Sequence, residues 1–274
     1  MPQRGVTMVR QPVVAGQFYP SDPLRLKDQL EKFVRVEGRQ EKALGAIVPH
    51  AGYVYSGAVA GSVYSRVHIP GTVVILGPNH HGRGARAALS PPGEWLTPLG
   101  TVAINPQLSL LVRECSSLVE EDSTAHQYEH SLEVQIPFLQ FLRPDVTIVP
   151  LCVGFNDFSS CRSLGLSLAT AIRKYRQEVL IIASSDMSHY QPDDVARHED
   201  NLALQEVLKM NPEGMYSVVK GRGITMCGVI PATIMLVAAI EMGATKSELI
   251  RYATSGEVSG DFNQVVGYAG VMVY

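Results

Sequence analysis

The sequence lacks the motifs that would assign it directly to a nucleotide-binding or hydrolase class. It contains no G-x-G-x-x-G, no Walker A and no G-x-S-x-G pattern, which argues against the common dinucleotide-binding, P-loop and serine-hydrolase families. Lys and Arg residues are scattered, and the net charge is −3 with a pI near 6.2, so the basic patch of a nucleic-acid-binding protein is missing. We therefore expect no nucleic-acid partner.

The sequence also shows neither a secretion signal nor a disulfide framework. The first residues carry Arg4 and Arg10 but no apolar stretch of the signal-peptide type. The 4 cysteines show no C-x-x-C spacing. The one uncharged run of 18 residues, 223–240, is interrupted by Pro231 and two threonines, which favours a buried turn and a core helix over a membrane span. We expect a protein of the reducing cytoplasm with no membrane partner.

Nothing in the sequence divides it into domains. No Ser/Gly/Pro-rich linker, charge block or internal repeat interrupts its 274 residues, and 46% of them are hydrophobic, so we predict one domain over 1–274. Alternating strand-like and helix-like segments predict an α/β fold, with a central, mostly parallel sheet flanked by helices. We also expect Ser21 to cap the first helix, a hairpin-like insertion at 82–106, and a helix over 128–142 that Pro137 kinks or splits.

Three apolar runs of the strand type lead into histidines. The runs and the histidines that follow them are 44–48 with His50, 73–76 with His80 and His81, and 179–183 with His189. In open α/β sheets, ligands bind beyond the carboxyl ends of the strands. The pattern therefore predicts that the three strand ends share one pocket.

The residue types at these strand ends predict a metal centre. His50 and His80 are candidate ligands, because imidazole is the commonest ligand of transition metals. Adjacent side chains on an extended segment point in opposite directions, so we expect only one of His80 and His81 to reach the site. Asp186 and His189 are candidates for a carboxylate ligand and a general base. The alternative is that they cap a helix and form the turn that follows.

Two further segments carry reactive side chains. Cys227 precedes an apolar helix-like run and is interpreted either as an inert packing residue or as a ligand or nucleophile. The segment from His126 to His130 matches the H-x-x-E-H pattern of one class of zinc peptidases, but that pattern requires a helix. Outside a helix, Glu129 and His130 could still line the same pocket.

Seven motifs, in order along nearly the whole chain, resemble those of the Memo family, known in prokaryotes as the protein B component of the AmmeMemoRadiSam system. The motifs are Ala-Gly-Gln-Phe-Tyr-Pro at 15–20, Pro-His-Ala-Gly-Tyr-Val-Tyr-Ser-Gly at 49–57, Leu-Gly-Pro-Asn-His-His at 76–81, Glu-His-Ser-Leu-Glu-Val-Gln at 129–135, Ser-Ser-Asp-Met-Ser-His at 184–189, Cys227-Gly228, and Gly-Tyr-Ala-Gly at 267–270. The resemblance implies the fold of the class III extradiol ring-cleaving dioxygenases, which are non-haem iron enzymes.

The resemblance also implies a set of site residues. The implied metal ligands are His50, His80 and Cys227, with Asp186 and His189 close by. We expect Asp186 and His189 to be the catalytic pair. We place four further residues in the surrounding pocket: His81, Glu129, His130 and Tyr53. A dioxygenase of this type uses two histidines and a carboxylate, whereas Cys227 stands in the carboxylate's place here. A soft thiolate shifts the metal preference toward copper, zinc or a different iron chemistry, so catechol cleavage does not follow.

The leading hypothesis is a metal-dependent oxidoreductase that uses Fe(II), with copper or zinc as the other candidate metals. The alternatives are a non-catalytic metal-binding or phosphopeptide-binding interaction protein and a zinc-dependent hydrolase. The name of the system further suggests an AMMECR-type protein and a radical SAM protein as partners.

Overall fold

A computed structural model describes residues 8–155 and 157–274 of the chain. These residues form a single-domain α/β fold in which one large sheet is flanked by helices on both faces. The predicted fold class is thereby confirmed. Arg4, which bears on the secretion prediction, lies outside the described residues, as do the rest of 1–7 and residue 156.

The sheet contains 12 strands. They are β1 (Val9–Arg10), β2 (Gly45–Val48), β3 (Thr72–Pro78), β4 (Ala87–Leu89), β5 (Glu94–Thr97), β6 (Gly100–Ile104), β7 (Glu120–Glu121), β8 (Thr147–Val153), β9 (Val179–Ser184), β10 (His189–Gln191), β11 (Ser247–Thr254) and β12 (Val265–Val273).

The helices lie between groups of these strands along the chain. They are α1 (Pro23–Phe33), α2 (Tyr53–Arg66), α3 (Pro106–Cys115), α4 (Ile136–Leu142), α5 (Phe158–Tyr175), α6 (Asp193–Leu208), α7 (Pro212–Arg222), α8 (Val229–Glu241) and α9 (Gly256–Ser259), with short 3-10 helices at Thr124–His126 and Glu133–Gln135. The side chain of Asn105 caps α3 by accepting the amide of Leu108, and Pro106 follows it at the first turn, where its missing N–H is harmless.

The strands in the middle of the sheet are parallel. Their order is β8, β3, β9, β2, and every neighbouring pair among them is parallel. Strands β12 and β11 extend the sheet beyond β2 in antiparallel pairing. Because β9 lies between β3 and β2, the carboxyl ends of these three strands emerge side by side at one edge of the sheet.

Both faces of the parallel strands are buried, which explains their continuous apolar sequences. In β3, Val73 and Ile75 pack toward α1, α2 and α4, while Val74 and Leu76 pack toward α3, α5 and α8. The sheet is therefore covered from both sides, and its carboxyl edge is where side chains between the two helical layers can form a site.

Three local predictions need correction. The helix expected over 128–142 begins only at Ile136, and Pro137 lies in its first turn instead of kinking it, because a proline without an N–H is tolerated there. The insertion at 82–106 contains the expected hairpin, β5 with β6, but β4 pairs with β8 and β7. Asp22, not its neighbour Ser21, caps α1 by accepting the amide of Arg25.

The apolar run 223–240 forms a loop followed by most of α8. Among the described residues, no helix has both the length and the apolar character needed to cross a lipid bilayer. All four cysteines are free thiols.

Candidate metal centre

The carboxyl ends of β2, β3 and β9 bring predicted site residues together. The chain leaves β2 through Pro49 into His50, and it leaves β3 at Pro78 into Asn79 and His80. Asp186 follows the end of β9, and its Oδ1 accepts the His50 amide at 2.8 Å. The strand order thus brings His50 and Asp186, which are 136 residues apart in the sequence, into one site.

Three imidazole rings form the centre of this site. The ligand atoms of His50, His80 and His130 all lie within 4.8 Å of one another. The ring centroids of His50 and His80 are 5.3 Å apart, and those of His80 and His130 are stacked at 4.9 Å. His130 lies in the segment between the two 3-10 helices. The sequence placed it in the surrounding pocket, whereas the structure places its ring among the candidate ligands.

Glu129 fixes the orientation of His80. Its Oε1 lies 2.9 Å from His80 Nδ1 and also accepts the amide of Ser131 at 2.9 Å, while its Oε2 accepts the amide of His80 at 2.8 Å. A carboxylate can only accept, so His80 Nδ1 carries the hydrogen and Nε2 is left for another partner. This carboxylate–histidine arrangement is typical of metal sites.

Burial and charge give the three rings different proton affinities. Burial, together with the charge of His80, lowers the pKa of His50 to about 3, and burial with the charge of His50 lowers the pKa of His130 to about 4. Burial also opposes protonation of His80, but the hydrogen bond and charge of Glu129 outweigh it and raise the pKa. His50 and His130 are therefore neutral at pH 7, with lone pairs available to a metal ion.

Cys227 lies against the cluster but outside the group of mutually close ligand atoms. Its Sγ is 3.2 Å from His50 Nε2 and accepts the amide of Asp186 at 3.3 Å. Burial raises the pKa of this thiol well above its ordinary value. The close packing of Cys227 against the end of β9 depends on its neighbour Gly228, where an added Cβ would lie 2.5 Å from the Ser184 carbonyl oxygen. The resemblance implies Cys227 as the third ligand, whereas in the group of mutually close ligand atoms the third residue is His130.

Asp186 and His189 flank the cluster without joining it. Asp186 is buried, which raises its pKa, and its Oδ2 lies 4.0 Å from His50 Nε2. His189 Nδ1 lies 3.0 Å from the Thr225 carbonyl oxygen. Because a carbonyl only accepts, Nδ1 donates and Nε2 is the basic nitrogen of that ring.

Three predicted or considered residues point elsewhere. His81 is exposed, and its Nε2 is 3.0 Å from the Tyr128 carbonyl, so the ring faces away from its neighbour His80. Tyr53 is buried in an aromatic core, where its hydroxyl donates to the Val134 carbonyl at 2.6 Å. His126 ends a 3-10 helix and contacts the Ala88 carbonyl and Trp95. The H-x-x-E-H segment therefore lacks the helix that a zinc peptidase needs.

Sequence reasoning missed two polar residues beneath the cluster, Ser184 and Gln135. Ser184 Oγ is 3.0 Å from His50 Nδ1 and 2.8 Å from Gln135 Nε2. The signal was present, because these residues begin and end two of the quoted motifs, at 184–189 and 129–135. A strand-ending serine and a glutamine in an apolar segment are each too common to be singled out without the contact.

The donor set fits a first-row transition metal ion. Three imidazole nitrogens converge, two of the rings are neutral at pH 7, and a buried carboxylate orients the third. Imidazole suits iron, copper and zinc alike. The side chains of His80 and His130 are 30% and 21% exposed, against 2% for His50, so the cluster is open to solvent on the side of His80 and His130.

Comparison with known proteins shows which chains this sequence is similar to. A family model described as Memo-like protein matches residues 10–272. A MEMO1 family protein of Methanosarcina barkeri is 43% identical over 267 residues, covering 97% of this chain and 100% of the relative. Another, of Pyrobaculum arsenaticum, is 41% identical over 278 residues, covering 97% and 99%.

A solved structure extends the comparison to the fold. The crystal structure of an uncharacterized protein from Escherichia coli K12 superposes with a TM-score of 0.56, covering 83% of this chain and 98% of that chain. At 12% sequence identity, this likeness shows the shared fold alone.

Proposed function

The chain belongs to the family of Memo-like proteins, and we propose that it is a metal-dependent oxidoreductase that holds Fe(II) or copper at the cluster of His50, His80 and His130. The observation that carries the proposal is the convergence of three ligand atoms within 4.8 Å at the carboxyl edge of the sheet. A bound Fe(II) or copper ion supplies one-electron chemistry and Lewis acidity there.

The residues of the chain have distinct parts in this proposal. Glu129 holds the ring of His80 with Nε2 free. His189 offers a basic Nε2 because its Nδ1 faces the Thr225 carbonyl, so it is the candidate proton acceptor beside the cluster. Asp186 holds the loop of His50 through two main-chain amides, those of His50 and Ala51. Substrate would approach from the side on which His80 and His130 are exposed.

Cys227 favours zinc hydrolysis as a second candidate function. A thiol 3.2 Å from His50 Nε2 adds a sulfur donor to the imidazoles, and zinc is commonly bound by such mixed nitrogen and sulfur sets. In that case a zinc-bound water would be the nucleophile. The two candidate functions use the same pocket and differ in the metal.

The metal content of protein purified anaerobically without an affinity tag distinguishes these functions. We expect about one iron or copper ion per chain by elemental mass spectrometry, and its loss in His50→Ala and His80→Ala. The matched control is His126→Gln, which removes a buried histidine outside the cluster. Stoichiometric zinc would favour hydrolysis. No metal in any preparation would contradict the proposal and leave a non-catalytic interaction protein as the better hypothesis.

The activity itself needs a separate measurement. Iron- or copper-loaded protein should consume O2 in a screen of candidate reductants and substrates. His189→Gln should bind the metal as tightly as the wild type but lose most of that rate, since it removes a proton acceptor and no ligand. Equal rates in both proteins would exclude His189 as a catalytic residue.

A further inference from the structure

The hydroxyl of Ser184 has three close partners in the buried layer beneath the cluster. Ser184 Oγ is 2.7 Å from the carbonyl oxygen of Ser131, 2.8 Å from Gln135 Nε2 and 3.0 Å from His50 Nδ1. Ser184 and Ser131 have no solvent exposure, and Gln135 and His50 have almost none. Bulk water therefore does not reach these polar atoms, and we expect them to be satisfied by one another.

The chemistry of these partners determines where the hydrogens lie. A serine hydroxyl donates one hydrogen and accepts two. The Ser131 carbonyl can only accept, so the hydroxyl donates to it, and the Gln135 amide fills one of the two acceptor positions. The remaining position requires a donor, so His50 Nδ1 carries the hydrogen. The reverse arrangement would leave the buried Ser131 carbonyl without this donor, which costs about 1–3 kcal/mol.

The orientation of the Gln135 amide is fixed independently. Its Nε2 also donates to the Pro49 carbonyl at 3.0 Å, and its Oε1 accepts the hydroxyl of Tyr64 at 2.9 Å. Exchanging the amide oxygen and nitrogen would place the oxygen against the Pro49 carbonyl, where two acceptors face each other. The amide nitrogen therefore faces Ser184.

We propose that Ser184 and Gln135 are positioning residues that hold His50 in the Nδ1–H tautomer and so keep its Nε2 lone pair available for a metal ion. Without Ser184, the ring has another option. Cys227 Sγ lies 3.2 Å from Nε2, so a proton moved to Nε2 can be donated to the sulfur. That tautomer blocks the nitrogen that should bind the metal.

The main chain of Ser131 connects this arrangement with the one that orients His80. The Ser131 carbonyl accepts from Ser184, which faces His50, and the Ser131 amide donates to Glu129, which holds His80. One peptide segment therefore supports the Nδ1–H tautomer in both rings. Outer partners of this kind typically change metal affinity 10- to 100-fold when they are replaced.

The first test reads the tautomer directly in the metal-free full chain, prepared by chelation and labelled with ¹⁵N-histidine. Two-bond ¹H–¹⁵N correlation spectra near pH 7.5 should show His50 with a protonated Nδ1 and an unprotonated Nε2, assigned by the loss of its signals in His50→Gln. In Ser184→Ala, the Nε2–H form should become the major one. A wild-type spectrum with Nε2–H would overturn the proposal without any variant.

The second test measures Fe(II) and Co(II) affinity under anaerobic conditions. Ser184→Ala should weaken binding by about 10- to 100-fold. The matched control is Ser90→Ala, which likewise removes a buried serine hydroxyl that accepts a ring N–H, that of Trp95 at 3.0 Å. Its metal affinity should stay within about twofold of the wild type. An unchanged affinity in Ser184→Ala would contradict the proposal.

This inference rests on the proposed metal site, yet the two can fail separately. A wild-type protein that binds no metal but shows the Nδ1–H tautomer would refute the proposed function and leave the hydrogen-bond assignment intact. A wild-type protein that binds metal, but in which His50 is Nε2–H when metal-free, would refute the tautomer assignment and leave the proposed metal site intact.

Discussion

Three histidines of this protein differ in the hydrogen-bond partners of their ring nitrogens. Ser184 faces His50 Nδ1, Glu129 faces His80 Nδ1, and the Ala88 carbonyl faces Nε2 of His126. Among the described residues, His126 Nδ1 has no hydrogen-bond partner. The first two rings thus direct Nε2 toward the cluster, whereas His126 is a buried neutral ring with a structural contact only.

The buried His126 predicts a pH dependence of stability. Burial lowers its pKa to about 4, whereas the unfolded chain binds a proton near the ordinary histidine value of about 6.5. The unfolded state therefore carries more protons between these values, and the free energy of unfolding falls as the pH is lowered from about 6.5 toward 4. His126 alone should contribute roughly 1.4 kcal/mol per pH unit to the slope of the free energy of unfolding in this range.

In His126→Gln, the loss of stability between pH 7 and pH 5 should be about 2 kcal/mol smaller than in the wild type, measured by urea unfolding. The control is His198→Gln at an exposed position, which should leave the slope unchanged. Parallel pH profiles for the wild type and His126→Gln would show that this ring is not held neutral by burial.

The identity of the third metal ligand can be decided between His130 and Cys227. His130 belongs to the group of mutually close ligand atoms, and burial raises the pKa of Cys227, which opposes formation of the thiolate that would bind. His130→Ala should therefore weaken Co(II) binding by tenfold or more, and by more than Cys227→Ser does. A thiolate-to-cobalt absorption band that persists in His130→Ala with unchanged affinity would instead support the His50, His80 and Cys227 set.

At the scale of elements, the strands and the positions of their ends were the features most readily predicted from the sequence. The apolar runs of β2, β3 and β9 are buried on both faces, and each stops at polar or proline-containing residues. This pattern is enough to predict strands that end at a site. It does not give the order of the strands, which places β9 between the other two.

The structure of the segment 127–135 was the hardest to predict from the sequence. Leu132, Ile136 and Leu139 repeat with helical spacing, yet the helix starts only at Ile136. Before it, Glu129 and Ser131 use their polar groups to hold His80 and to meet Ser184, and these tertiary hydrogen bonds replace helical ones. The closeness of Cys227 to His50 was likewise beyond any spacing rule, because the contact joins positions 177 residues apart.

Glu133 connects the 3-10 helix at the end of this segment to the start of the described chain. Its buried carboxylate accepts from four groups: Arg10 Nη1, the Val13 and Val14 amides, and the Tyr19 hydroxyl. Glu133→Gln places an amide among these donors and leaves Arg10 without its ion pair. We expect a loss of roughly 3–5 kcal/mol in the free energy of unfolding, the usual range for a broken buried pair.

Urea unfolding of Glu133→Gln tests this expectation. The matched control is Glu178→Gln, which breaks the exposed pair of Glu178 and Lys42 and should change stability by less than about 1 kcal/mol. Similar effects of the two substitutions would mean that the Glu133 carboxylate does not anchor the segment around Arg10.

At the scale of the whole molecule, the proposed metal ion would join parts of the chain that are distant in sequence. His50 follows β2, His80 follows β3, and His130 lies between the 3-10 helices. A ligand that binds only the folded state stabilises it by RT ln(1 + [L]/Kd), about 2.7 kcal/mol at a hundredfold excess over Kd. Metal binding should therefore be visible in the stability of the entire fold.

Anaerobic thermal unfolding with and without Fe(II) is the most direct test of the metal site. At a hundredfold excess over Kd, we predict that Fe(II) raises the Tm of the wild type and of His126→Gln by roughly 5–10 °C, and that it leaves the Tm of the double variant His50→Ala/His80→Ala unchanged. An equal rise in the double variant, or no rise in the wild type at saturating Fe(II), would contradict a metal centre at the carboxyl edge of this sheet.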